Sequence, residues 1–325
     1  MLKKKFIKYQ LITVLVGVLL LAGKFVLYFL TSSNAIFSDA LESVVNVAVS
    51  LFSLYSLYLS SVPRDDNHPY GHGKIEFIAA GLEGGMIAVA GIAILIKASL
   101  AFFSPPEIQR VNLAAGVILV TAVINFAMGK FLVRKGEAFD ALVLTSGGKH
   151  LIMDALSTTG IFLGLVFIYF TGYEWIDNAM AVLFGAFILI EGIRILRKAI
   201  SGIMDETDFK TVKHVVEVLE QHRVDAWIDV HNLRVQKYGA DMHIDCHVTL
   251  PWYYNLRQVH DEVERIEQLI DRESLAEVEL FVHTDPCIPA SCRVCKVKDC
   301  PVRQHPYTHS VIWNVKNIMR NKKHM

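Results

Sequence analysis

The chain has 325 residues, 53% of them hydrophobic and 20% charged, and its 32 basic side chains balance its 32 acidic ones. So apolar a composition argues against a wholly soluble protein, and no nucleic-acid partner is expected. The charges crowd at the extreme N-terminus and again after Arg194, which divides the chain into a membrane part and a polar part.

Apolar runs long enough to cross about 30 Å of hydrocarbon as helix fall at residues 9–30, 35–59, 77–103, 113–133, 141–170 and 176–196, which predicts six spans. The first is too long for a cleaved signal peptide, and no small-residue cleavage pattern follows it. Lys3, Lys4, Lys5 and Lys8 precede the first span. Arg64 and Lys74 separate the second from the third, Lys130, Arg134 and Lys135 follow the fourth, and Arg194, Arg197 and Lys198 close the sixth. The opposite connections carry almost no basic residues, so both termini are expected in the cytoplasm.

Two polar pairs interrupt the apolar runs. Glu42 and Asn46 lie in the second span, His150 and Asp154 in the fifth, and a spacing of four puts each pair on one helix face. Ionisable groups at membrane depth are costly enough to point to function, and His with carboxylate and amide oxygens is metal-ligand chemistry. A lone Asn on a membrane helix is more often interhelical glue, and Glu42 could be a paired structural charge. Two pairs together favour ligation. Lys24, Glu83 and Glu191 are read as pairing within the bundle or lining an access path, and Gly81 and Gly85 as permitting close helix packing.

Asp65, His68 and His72 follow the second span at spacings of three and four, with Pro69 and Gly71 favouring a loop in which they converge. The alternative is a polar turn with solvated histidines. From residue 205 the pattern runs helix (208–222), strand (230–237), strand (241–250), helix (256–270), strand (278–282), an αββαβ order that suits helices layered on a mainly antiparallel sheet. On the second strand Met242, Ile244, Cys246 and Val248 make a core face, and His243, Asp245 and His247 face the other way.

Residues 287–325 read as a Cys-, Pro- and Lys-rich tail with a short amphipathic helix over 310–320. Cys287, Cys292, Cys295 and Cys300 cluster there, and thiols in a cytoplasmic segment are better metal ligands than disulfide partners. Cys292 and Cys295 would form the centre of a tetrathiolate site, with His305 and His309 able to replace outer cysteines. A disordered tail with free thiols and a transient metal-capturing segment are the competing readings.

The runs Ser38-Asp-Ala-Leu-Glu-Ser-Val-Val-Asn46, Asp65-Asp-Asn-His-Pro-Tyr-Gly-His-Gly-Lys74, His150-Leu-Ile-Met-Asp154 and His283-Thr-Asp-Pro286 together resemble the cation diffusion facilitator family of metal/proton antiporters, across nearly the whole chain. The resemblance implies a homodimer of six-helix protomers (1–204) in a cell membrane, of bacterial inner-membrane type, each with a metallochaperone-like cytoplasmic domain (205–286). It implies a transport site of Glu42, Asn46, His150 and Asp154, a loop site of Asp65, His68 and His72, and a zinc site of His231, His247, His260, His283 and Asp285 between two cytoplasmic domains. Family members usually carry Asp or His at the position of Glu42 and Asp at that of Asn46. The substrate implied is a divalent cation, zinc first and iron(II), manganese or cobalt next, exported for protons by alternating access. A membrane-anchored metal sensor is the second expectation. No catalytic role is expected, since no His-Glu-x-x-His helix is present.

Overall fold

The structure is a computed structural model that describes residues 2–31, 34–101, 114–171, 175–239, 241–274 and 278–324, with some helical side chains, Glu42 among them, outside the description. It divides into two compact units, Met1–Met204 and Asp205–Met325.

The first unit is built from six long helices: α1 (Leu2–Thr31), α2 (Asn34–Ser60), α3 (Ile75–Ala101), α4 (Ala114–Ala138), α5 (Leu142–Thr171) and α6 (Trp175–Ile203). Each grows out of one of the apolar runs, because nothing within the run breaks the helical ladder and an unpaired backbone is intolerable in hydrocarbon. Among the described residues, three segments are long and apolar enough to cross a membrane: Phe6–Val26, Ser43–Ser60 and Ile75–Leu100. Leu15, Leu19 and Phe29 of α1 are exposed, which suits a surface solvated by lipid.

The principal partnerships are α3 with α6, α4 with α5, and α1 with α2. Gly81 and Gly85 are not the residues that permit the closest approach. A Cβ on Gly81 would meet Ala199 at an ordinary 3.5 Å, and one on Gly85 would meet nothing within 4 Å. Gly84 and Gly192 carry that role instead: a Cβ would come within 2.7 Å of the Leu196 nitrogen or 2.5 Å of the Ala88 nitrogen, so α3 and α6 touch backbone to backbone.

The second unit comprises α7 (Phe209–Gln221), β1 (Asp229–Tyr238), β2 (Asp241–Leu250), α8 (Leu256–Glu273), β3 (Val278–Pro286) and a short α9 (Val315–Ile318). Asp208 caps α7 by accepting from the Lys210 N–H, and Asn255 and Gln258 form a reciprocal capping box at the start of α8. Val212, Val215, Val216 and Leu219 of α7 and Ile266 and Ile270 of α8 pack on Ile244, Cys246, Val248 and Leu250 of β2. The helices thus cover one sheet face.

Strand order is β1-β2-β3, with β1 antiparallel and β3 parallel to β2. The sheet is therefore mixed, where a mainly antiparallel one was expected, because the α8 crossover returns the chain to start β3 in the direction of β2. A bulge lies between His231 and Arg234, where Asn232 takes a φ of +53°. It resets the alternation so that Val230, Leu233 and Val235 all reach the core.

Residues 287–325 are not a loose appendage. Trp313 and Ile318 are buried in the core of this unit, and the Arg223 guanidinium lies 3.9 Å from the Trp313 ring while donating to the Val311 carbonyl at 2.7 Å. The Asn232 N–H donates to the Arg320 carbonyl at 2.9 Å. The helix in this segment is one turn, shorter than the 310–320 expectation.

Candidate metal sites

In the helical unit, α2 and α5 bring Asn46, His150 and Asp154 together. Nε2 of His150 lies 3.0 Å from Asn46 Oδ1 and 3.6 Å from Asp154 Oδ2, and the Asn46 amide nitrogen donates to Asp154 Oδ2 at 2.7 Å. His150 is 8% exposed, and its Nδ1 is buried with no hydrogen-bond partner, so the ring is held by what meets Nε2. Glu42 precedes Asn46 by about one turn of α2, but its side chain lies outside the described residues. A cavity of about 30 Å³ adjoins Asn46, lined also by Ser43 and Lys24, and the Lys24 ammonium donates to Ser43 Oγ at 2.7 Å.

Two further carboxylates in these helices, Glu83 and Glu191, have structural partners. Glu83 accepts from the Ser53 and Ser146 hydroxyls, tying α3 to α2 and α5. Glu191 pairs with Lys149 and, at 3.3 Å, with Arg194.

The loop between α2 and α3 turns as its Pro and Gly suggest. Asp65 Oδ1 accepts from the backbone of Asn67 and His68, and Gly71 takes a φ of +86°. Asp65 then stands 3.0 Å from Nδ1 of His68 and 3.3 Å from Nε2 of His72, with one ligand atom from each of the three residues within 4.8 Å of the others. His72 Nδ1 is buried without a partner.

On the sheet face away from the helices, the register aligns His231 with His247 and His247 with His283. Asp285 Oδ2 lies 3.4 Å from His231 Nε2 and 3.4 Å from His247 Nδ1, and Oδ1 lies 3.7 Å from His283 Nε2. His231, His247 and Asp285 converge within 4.8 Å. His260 does not join them: it is exposed on α8, which packs on the opposite face. His243 is buried, not solvated, and pairs with Glu279 at 2.7 Å. Burial lifts the Cys246 thiol to about 12, as befits a core residue.

Asp229 is absent from the expected set and stands behind one of its members. It stands 3.2 Å from Nδ1 of His231 and also pairs with His324 near the chain's end. Burial opposes its charge, yet the His231 ring beside it and the hydrogen bonds from His324 hold its carboxyl down at about 2. Lys323 reaches Asp285 Oδ1 at 3.7 Å. The terminal segment therefore lies beside Asp229 and Asp285.

Cys287, Cys292, Cys295 and Cys300 line one cavity of about 260 Å³ with Trp252 and Arg303. All are free thiols, and burial and neighbouring cysteines push Cys287 and Cys295 above the ordinary thiol range. His305 and His309 are exposed.

Residues 11–204 match the cation efflux transmembrane domain, and residues 207–287 match the cation efflux protein, cytoplasmic domain, a dimerising domain. An uncharacterized transporter of Synechocystis is 29% identical over 259 residues, covering 80% of this chain and 83% of the relative. A manganese efflux system protein of Bacillus subtilis is 25% identical, covering 85% and 94%. A cadmium, cobalt and zinc/H(+)-K(+) antiporter of the same organism is 20% identical, covering 85% and 89%.

Proposed function

The chain belongs to the cation efflux family of membrane transporters for divalent metal cations, and from that membership we propose that it exports such a cation from the cytoplasm in exchange for protons, zinc being the first candidate. The observation that carries this reading is the meeting of Asn46 Oδ1, His150 Nε2 and Asp154 Oδ2 between two intramembrane helices, with Glu42 one turn away on α2. Glu42 and Asp154 ionised with His150 neutral total minus two, so a divalent ion leaves the site neutral and cheaper to hold in low dielectric. The same ligands must lose protons to bind metal, so protons arriving from outside displace it. The substrate range of the relatives, manganese for one and cadmium, cobalt and zinc for another, keeps manganese and cobalt as further candidates, and the nitrogen and oxygen donors keep iron(II).

In this reading both termini face the cytoplasm. The loop triad Asp65, His68 and His72 binds metal near the entrance, and the row of His231, His247, His283 and Asp285 binds zinc at the dimer interface, with His260 supplied across it. Flux in sealed proteoliposomes, measured ion by ion with and without an inward proton gradient, tests the reading. Metal movement that is indifferent to the gradient would remove the exchange mechanism, and none for any ion would remove transport.

A further inference from the structure

Beyond the transport chemistry, the four cysteines form an arrangement of their own. Their spacing is Cys287-x4-Cys292-x2-Cys295-x4-Cys300, and the first three follow the C-x4-C-x2-C order by which plant-type ferredoxins ligate a [2Fe–2S] cluster. The fold turns this string into a cup. Cys287 follows the end of β3, a short 3-10 turn at Pro289–Arg293 carries Cys292, and the loop beyond returns Cys295 and Cys300 to the same cavity.

Two features of the cup bear on what it holds. Its volume, about 260 Å³, is several times that of one water and far more than a lone ion fills. A tetrathiolate zinc ion, with Zn–S near 2.3 Å, draws its sulfurs to roughly 3.8 Å from one another. Among the described residues, however, no three cysteine sulfurs come within 4.8 Å of each other, although the same criterion is met by Asp65, His68 and His72 and by His231, His247 and Asp285. A two-iron cluster divides its four sulfurs between two metals, so a cup with no close triplet of sulfurs suits a cluster better than a single ion.

The surroundings have the donors a buried anionic group needs. Arg303 places its guanidinium 3.9 Å from Cys295 Sγ while donating to the carbonyls of Cys292, Cys295 and Val297 at 3.0, 3.1 and 2.6 Å. Such donors stabilise thiolates and set a cluster's potential.

We propose that Cys287, Cys292, Cys295 and Cys300 ligate an iron–sulfur cluster, of [2Fe–2S] type by spacing, held against Arg303. Two ferric ions, two sulfides and four thiols give a bound cluster of net charge minus two and release four protons, with no change of oxidation state. Arg303 offsets part of that charge.

The full-length protein, purified in detergent without oxygen and incubated with ferric iron and sulfide, is assayed for iron, acid-labile sulfide and zinc. Iron and sulfide in equal amounts, with visible charge-transfer absorption that disappears in Cys292→Ser and in Cys300→Ser, is the expected result. Two of each per chain sustains the [2Fe–2S] cluster. Sulfide separates this site from the transport and histidine sites, which bind metal alone. One zinc per chain lost with those cysteines and no labile sulfide overturns the proposal, as does a wild-type protein that binds no sulfide. Gel filtration of both variants checks that they remain folded.

Discussion

The Asp229 carboxylate stands 3.2 Å from Nδ1 of His231, and Nε2 of the same ring stands 3.4 Å from Asp285. An imidazole held by a carboxylate on one nitrogen presents the other to a metal in a fixed orientation, and losing such a partner typically costs about 10–100-fold in affinity. Asp229 is 2% exposed, so its pairing is not diluted by solvent.

From this arrangement, Asp229→Ala should weaken zinc binding by the unit spanning residues 205–325 by about 10–100-fold, whereas Asp245→Ala, on an exposed side chain, should not. Zinc should raise the melting temperature of the wild-type unit, and His247→Ala/Asp285→Ala should abolish that gain. The cysteine ligands are replaced by serine in all versions so that only the histidine row is read. A wild-type melting temperature unmoved across a zinc titration would contradict the site.

Stability of the same unit should depend on Asp208. Burial raises its proton affinity, but Lys237, then Thr211 and the Lys210 N–H, outweigh burial and hold the carboxyl at about 2, below its ordinary 3.8. A depressed carboxyl stabilises the fold above its unfolded value and ceases to as pH falls through its folded value, so this contribution is complete above about pH 4 and fades towards pH 2. Asp208→Ala removes cap and ion pair and should cost about 1–2 kcal/mol at neutral pH. Asp208→Asn keeps the cap and should cost under about 1 kcal/mol. Denaturant melts at pH 7 and pH 3 read both. Equal losses for the two variants would show that the cap contributes nothing.

Much of this architecture is legible in the chain because it rests on short-range patterns. Long apolar runs specify α1 to α6, and the four-residue spacing of His150 and Asp154 places both on one face wherever α5 packs. Features that depend on distant partners are not legible. The parallel pairing of β3 is set by the α8 crossover, and the bulge at Asn232 by the need of Val230, Leu233 and Val235 for one core. Trp313 and Ile318 join that core as single anchors, too sparse to show a period. Asp229 could have been found, since it precedes His231 by two in a strand and so shares its face. Gly84 could not be told from Gly81 or Gly85 without knowing which face of α3 meets α6.

The α5 pair should be indispensable to flux. His150→Ala or Asp154→Ala removes one of the groups that meet at Asn46, while the apolar surface that inserts α5 is unchanged. The expected protein is a correctly inserted dimer with metal flux reduced at least about tenfold, the effect of losing a few kcal/mol of binding. Wild-type flux in the double variant, measured in proteoliposomes of verified orientation, would eliminate the proposed transport site.

Asn46 should govern which ion is moved and at what pH more than whether one is moved. Its amide nitrogen donates to Asp154 Oδ2 at 2.7 Å, a bond that a carboxylate at the same position cannot make. Asn46→Asp is nearly isosteric, so volume and helix packing stay as they are and charge alone changes. Two carboxylates at that separation cannot both ionise cheaply, and they share a proton until a cation takes its place. The ionised site, with Glu42 counted, goes from minus two to minus three, which strengthens its attraction for a divalent ion. It strengthens the attraction for protons as well, so metal loading should require a higher pH and the acid limb of the flux profile should move upward. An amide oxygen is also a weaker ligand than a carboxylate oxygen, so the ranking among zinc, iron(II), manganese and cobalt should change in the variant. Flux measured ion by ion from pH 6 to 8 reads all three quantities. If ranking and profile match the wild type while Glu42→Ala is inactive, Asn46 serves as packing between α2 and α5, and another group completes the coordination.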